Sequence, residues 1–323
     1  MEKIKGYKSF DKDLRCRGFQ YEVGKEYTAE GKIECCKNGF HFYENPFGVF
    51  KYVPLSAETR YCEVEGDGEI DKYVDKVAVS HIRICKEMDI DYMIKECKKY
   101  IRKKNMALSV YPTMVRGSHS IAGGTKKHSA VICKKRESIA ACTARESESI
   151  SMSYCSVAAC VGLQSVSTTC ESFSVAVSTN EYSAAKCKED CSVAVCTRDK
   201  SAALCNGILS AAICTCKDSL AYSTGCGSAA ICTGWNSAAR NTGTHSFSLC
   251  AINNSEAKVE GEESVAIALG CNSRAAGALG CWLFLVERNE EGQILDAKAV
   301  KVDGDKIKAD TYYKLKNGEI IEA

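Results

Sequence analysis

The sequence predicts a mainly β protein: a two-sheet parallel β-solenoid, or β-roll, with 18 residues per coil and about nine coils. A small N-terminal α+β domain and a C-terminal β cap flank it. Three observations predict this. Serine recurs at every ninth residue between positions 120 and 273, 18 serines without a slip of register. Each step reads Ser-x-Ala-x-Cys and then four turn-like residues rich in Gly, Asn, Thr and charge, so a five-residue period-two strand is followed by a turn. The residues between the small ones change character with a period of 18. A helix does not fit, because nine residues make about two and a half helical turns and would swing the stripe across faces.

The small residues must face inward, since only a thin interior demands a small side chain on every rung. Position two after the serine is Ala in 14 of 18 repeats, Ser in three and Val in one, Val131. The outward positions then sort into two sheets. One carries Ile139, Val157, Val175, Val177, Val193, Val195, Ile213, Ile231, Phe247, Leu249, Val265 and Ile267, with no charged side chain on any rung. The other carries Glu148, Lys186, Arg240, Glu256, Lys258 and Arg274, with Thr168 and Tyr222. The first face spans about 43 Å by about 16 Å, roughly 700 Å², more apolar surface than a soluble monomer usually exposes. These residues are therefore the expected interface of a homodimer or other homo-oligomer, packed sheet on sheet.

The elements follow in chain order. Residues 1–117 form the expected N-terminal domain, with short strands at 7–10, 19–23 and 61–64. The stretch "NGFHFYENPFGVFKY" at 38–52 is the densest aromatic cluster, and Asn45 before Pro46 caps a short helix. An amphipathic helix is expected over 86–104, with Met88, Met93, Ile94, Cys97, Tyr100 and Ile101 on one stripe. Its acidic residues stand near its start, and Lys98, Lys99, Arg102, Lys103 and Lys104 near its end. That polarity complements the helix dipole. Pro112 is the last proline. The solenoid occupies 118–281. At Trp282, where the next serine is due, a bulky run begins, read as the cap of a domain over 282–323. The helix at 86–104 is expected to cap the other end. The tail reads as strands at 294–302 and 312–315, with turns at Asp303-Gly304 and Asn317-Gly318.

Net charge is +2, which argues against a globally basic nucleic-acid binder. No apolar run approaches the roughly 18 residues that cross a bilayer, and no charged-then-apolar leader opens the chain. The expectation is a cytoplasmic protein with no membrane partner. Of 22 cysteines, 16 lie in the repeats and nine at one repeat position, the fourth after the serine. Periodic cysteine is a packing signal, and C-x-x-C pairs are absent, so buried free thiols are expected, with no metal and no cofactor.

The blocks "GYKSFDKDLRCRGFQYEVGKEY", "CKNGFHFYENPFGVFKY" and "RYCEVEGDG", with the tail "ILDAKAVKVDGDKIKADTYYKLKNGEIIE", resemble an uncharacterised family of bacteriophage and prophage proteins. The resemblance covers about 4–85 and 282–322. It implies a viral or mobile-element origin, work in the host-cell cytoplasm, and no transferable activity. The nonapeptide repeats resemble the head repeats of trimeric autotransporter adhesins, notably "SVAIALGCNS" at 264–273. They also resemble the two-per-coil repeats of calcium-binding toxins, but lack the Gly and Asp turns that hold calcium there.

Chemistry is sparse. His41, with Glu44 three residues on and Arg17 or Tyr21 nearby, is the candidate for a nucleotide or nicotinamide pocket, with a loose likeness to ADP-ribosyl transferases. The plainer reading is a histidine packed in an aromatic core. Lys126, Lys127, Lys134, Lys135 and Arg136 make a candidate anion site. Nucleophile pairs are not signalled, since the period explains the serines and cysteines, and His119, His128 and His245 sit near turns. The expected function is a non-catalytic, oligomeric scaffold and binding protein of phage or prophage origin that engages a host or phage protein. The alternatives are a counter-defence protein that sequesters a nucleotide signal or blocks a host immune protein, and a nucleotide- or NAD-using enzyme centred on His41.

Overall fold

A computed structural model of the chain describes residues 3–52, 59–73, 76–107, 113–127 and 129–323. Pro112, His128 and the side chains of Tyr52, Arg102 and Lys104 lie outside the described residues. The fold is mainly β, and it divides into two compact units at 103/104. The boundaries expected at 117 and 281 are therefore not where contacts thin out. The tail belongs to the solenoid unit, and the helix through residue 103 belongs to the N-terminal one.

The N-terminal unit is a small antiparallel sheet whose pairing closes on itself. Ile4–Phe10 lies between Phe40–Tyr43 and Arg60–Tyr73, and both of these also pair with Lys76–Met88. Glu26–Thr28 extends the last strand. Phe10, Phe42, Val64, Val79, Ile82 and Ile84 fill the interior. The helix, Ile90–Ala107, starts four residues later than expected because 86–88 complete a strand. Asp89 caps it, its Oδ1 accepting the Tyr92 N–H at 2.6 Å. Met93, Ile94, Cys97 and Ile101 are fully buried, and Tyr7 donates to Glu96 at 2.9 Å. The helix is thus part of this unit. Asn45 caps the short Pro46–Gly48 helix as its position predicts, accepting the Phe47 N–H at 3.0 Å.

The second unit is the solenoid. Strands alternate between two sheets, and each pairs in parallel with the strand 18 residues on, Ala176 with Ala194 and Cys196 with Cys214. Each sheet holds ten parallel strands, giving about ten turns where the serines marked nine. Thr113–Val115 supplies an extra first strand and Trp282–Arg288 an extra last one. The last strand keeps register after a turn one residue short. Trp282 pairs with Val265, and Cys281 takes the serine's place, its thiol donating to the Gly261 carbonyl at 3.1 Å. The run at Trp282 is therefore a rung, and the caps come after it. Ile294–Lys301 closes one sheet antiparallel, and Tyr313–Lys316 with Glu319–Glu322 closes the other. Leu283, Leu285, Val302, Ile307 and Leu315 plug the end of the core.

The inward rows are Ser, Ala and Cys as expected, essentially all buried. The serine also does more than fit. Every described residue immediately before a repeat serine has positive φ, from 51° at Glu263 to 64° at Gly227. This left-handed corner turns its N–H towards the next coil, as when Leu209 donates to the Cys226 carbonyl at 3.0 Å. The serine N–H behind it also points up the stack and is met by the hydroxyl of the serine 18 residues on. Ser219 N–H reaches Ser237 Oγ at 3.2 Å and Ser237 N–H reaches Ser255 Oγ at 3.2 Å. That hydroxyl in turn donates to the turn carbonyls, Cys216 at 3.0 Å for Ser237. One hydroxyl can serve as donor and acceptor together, which alanine cannot. The cysteine at the fourth position braces the turn that follows it, Cys214 donating to the Leu220 carbonyl at 3.0 Å and Cys232 to Ala238 at 2.7 Å.

Candidate functional site

His41 stands on the Phe40–Tyr43 strand beside a cleft of about 720 Å³ in the N-terminal unit. Its walls bring together Lys8, Arg17, Phe19, Tyr21, His41 and Lys76 from separate segments. Glu44 is not among the lining residues; it pairs with Lys72 at 2.5 Å. The histidine serves as a clip. Its Nε2 accepts the Cys36 N–H at 2.8 Å, so the neutral ring carries its proton on Nδ1. Burial, and then the fields of Lys8, Arg17 and Lys76, push its pKa down to about 4. With the lone pair of Nε2 engaged by that backbone N–H, this histidine holds the 36–41 loop and its neutral ring has no free lone pair to act as a base.

The cleft is cationic. The Lys8 side chain crosses its floor with its ammonium 2.7 Å from the His41 carbonyl and 5.6 and 5.3 Å from the Phe10 and Tyr21 ring centres. Lys8 is 5% exposed, and burial lowers its pKa. The Arg15–Cys16 and Phe19–Gln20 strands form a hairpin closed by Arg17 and Gly18, with φ of 52° and 78°, a type I′ turn. This turn places Arg17 at the tip and Phe19 on the return strand. Phe19 is edge-packed on Tyr21, Tyr27 and Phe40 at 4.7, 5.3 and 5.6 Å between ring centres. Sequence reasoning found His41, Arg17 and Tyr21. It missed Lys8, Phe19 and Lys76, whose only signal is a basic and aromatic composition spread over about seventy residues.

The five-residue basic cluster does not converge. Lys126 and Lys127 lie in the turn that leaves the apolar sheet, and Lys134, Lys135 and Arg136 in the turn that returns to it, on opposite edges of the coil. All five are exposed. Arg136 lies over the Tyr154 ring one coil on, 5.9 Å from its centre. As a single anion site the cluster is corrected by this alternation, because a run of eleven residues in a nine-residue repeat must cross the coil.

The two solenoid faces differ as expected in chemistry, and also in exposure. On the apolar sheet Ile121 is 75% exposed and Phe247 38%, and the added rung contributes Trp282 at 47% and Phe284 at 38%. On the other sheet Val166, Thr168, Ala184, Lys186 and Leu204 are buried, so its middle is not the open polar face the sequence suggests. Towards its C-terminal end the charges pair, Arg274 with Glu256 at 2.5 Å and Arg240 with Glu260 at 2.6 Å. All 22 cysteines are free, and burial holds the stacked thiols of Cys160, Cys196 and Cys232 well above the usual thiol range. No group of three or more metal-ligating side chains occurs among the described residues, and no helix among them is long and apolar enough to cross a membrane.

Residues 4–96 match a family model described as "Domain of unknown function (DUF7666)", a span that takes in the closed sheet and the first turns of the helix. No curated protein and no solved structure matches the chain.

Proposed function

We propose that this protein is a non-catalytic assembly and binding protein whose solenoids pair through the apolar sheet. The observation that carries the reading is the outward column of that sheet, apolar on every rung and partly exposed from Ile121 to Phe284. The sheet spans about 43 Å between its first and last rungs, and two such faces would bury roughly 1,400 Å², within the range of stable interfaces. The occupant is a second copy of the chain, because a long, flat, regular face is complementary in shape to another of the same repeat. A phage or prophage origin and work in the host cytoplasm, engaging a host or phage protein, complete the reading. They are supported by the resemblance of 4–85 and 282–322 to proteins of that kind. An enzyme centred on His41 is the least supported alternative, since the lone pair of its neutral ring is already engaged by the Cys36 N–H.

The test is Val177→Lys with Val195→Lys, measured by light scattering. The wild type is expected at a multiple of the 35.1 kDa chain mass and the double variant at the chain mass or as aggregate. A wild-type monomer, or an unchanged mass in the variant, overturns the proposal.

A further inference from the structure

We infer that the cleft of the N-terminal unit binds a nucleotide, its phosphates held by Lys8 and Arg17 and its base stacked on Phe19. The inference does not rest on pairing through the apolar sheet. Its first support is Lys8. An ammonium taken out of water ordinarily has a carboxylate beside it, because burying an unpaired charge is costly. Lys8 is 5% exposed and has instead the His41 carbonyl, the Cys16 thiol and the faces of Phe10 and Tyr21. No ion pair to Lys8 or Arg17 occurs among the described residues. A carbonyl and ring faces hold the ammonium in place without neutralising it, which leaves its charge for an anion entering the cleft.

The second support is the hairpin tip. The type I′ turn needs positive φ at both central residues, and Arg17 adopts 52° where Asn or Gly would be at ease. A long cation at a strained corner, exposed at the lip of the cleft, places a planar guanidinium where it can reach a phosphate with two N–H groups. Lys76 adds a third positive charge, near enough that its field acts on Lys8 and His41. The carboxylates in the wall are Asp11 and Glu30, and Asp11 is occupied, its Oδ1 accepting the Asp13 and Arg15 N–H groups at 3.0 and 2.7 Å.

The third support is aromatic. Phe19 remains 43% exposed although three rings grip it edge-on, so its orientation is fixed while part of the ring stays open to the cleft. A fixed, half-open ring beside cations is a stacking platform for a base. The cleft volume of about 720 Å³ is within the span of small-molecule sites, roughly 300–1,000 Å³. An inorganic anion would use the cations and leave the ring idle, and a neutral aromatic would do the reverse. A nucleotide uses both.

The experiment is calorimetric titration of the full-length protein with the four common nucleoside diphosphates and, separately, with pyrophosphate. At least one nucleotide should bind with micromolar affinity, roughly tenfold or more tighter than pyrophosphate. Arg17→Asn, which suits the turn, should weaken the nucleotide about tenfold with the melting temperature unchanged or raised, and Lys8→Met should weaken it as much or more. Phe19→Leu should weaken the nucleotide and leave pyrophosphate as it was. Absence of heat with all four nucleotides at millimolar concentration overturns the inference. So does equal affinity for pyrophosphate with Phe19→Leu silent, which would make the cleft an anion site alone. Should Lys8→Met fail to fold, Arg17→Asn and Phe19→Leu decide the matter, and wild-type binding by both refutes it.

Discussion

Replacing one repeat serine by alanine isolates what the serine row contributes. Ser237 is 1% exposed, and its Oγ accepts the Ser219 N–H at 3.2 Å while donating to the Cys216 carbonyl at 3.0 Å or the Trp235 carbonyl at 3.1 Å. Alanine fits the space, so Ser237→Ala removes hydrogen bonding with little change in packing. The Ser219 N–H then has nowhere to go, because the ladder bond at the next residue, Leu220 N–H to the Ser201 carbonyl at 3.0 Å, points down the stack. A buried orphaned donor costs about 1–3 kcal/mol, and the lost donor bond from the hydroxyl adds about 0.5–1 kcal/mol. The expected loss is therefore about 1.5–4 kcal/mol, which at about 2–4 °C per kcal/mol lowers the thermal midpoint by roughly 3–16 °C. Circular dichroism during urea and thermal unfolding measures the size of the effect, and amide hydrogen exchange measures its place. The Ser219 amide should lose protection, while the Ser228 amide, bonded to Ser246 Oγ at 3.1 Å, should keep it. A loss below about 0.5 kcal/mol with Ser219 still protected would show that the hydroxyl is there only for its size.

Two further outcomes follow from the corner geometry and from the clip. Leu209 is 66% exposed with φ of 52°, so Leu209→Asn should relieve left-handed strain without losing packing and raise stability by about 0.5–1 kcal/mol in urea unfolding; a loss instead would mean that the leucine packs in an assembly. His41 has a folded pKa of about 4 against the ordinary 6.5, so the folded state favours the neutral ring. Its contribution is complete above pH 6.5 and is lost as the pH falls through 4, at most about 3 kcal/mol. His41→Asn should flatten the stability of the N-terminal unit between about pH 6.5 and 4, followed by its near-ultraviolet circular dichroism, and an unchanged slope would assign the dependence to other groups.

The solenoid was legible because its rule is short-range and repeated. A strand of small inward residues shows itself in 18 successive windows, and the outward positions then sort themselves between sheets. What stayed hidden is conformational. The left-handed corners are held by Leu209, Phe173, Tyr182 and Lys200 as well as by asparagines, and among the described corners only Gly227 is a glycine, so glycine does not mark them in the sequence. They form because the stacked N–H bonds and the serine hydroxyl make that backbone the satisfied one. The tenth turn was hidden for a related reason. Cys281 and Trp282 break the serine count, yet a turn one residue shorter restores the strand register, which depends on backbone pairing and not on residue type.

The N-terminal unit shows the opposite case. The Arg60–Tyr73 and Lys76–Met88 strands make one long hairpin, but Gly66, Asp67 and Gly68 in its middle read as a turn. Gly66 is required because a Cβ there would meet the Phe42 ring at 2.6 Å, and Gly68, at φ 84°, serves a bulge where the register shifts between Asp67 and Ile70. The same closure carries Lys8, Arg17, Phe19, His41 and Lys76 into one wall. Lys8, Phe19 and Lys76 are unremarked in their own segments; His41 stood out because it sits among aromatics, and Arg17 only as a residue near it in sequence. The aromatics around His41 build the cleft, the histidine fastens a loop, and the buried charge in the cleft comes from Lys8, a residue that local sequence would place on the surface.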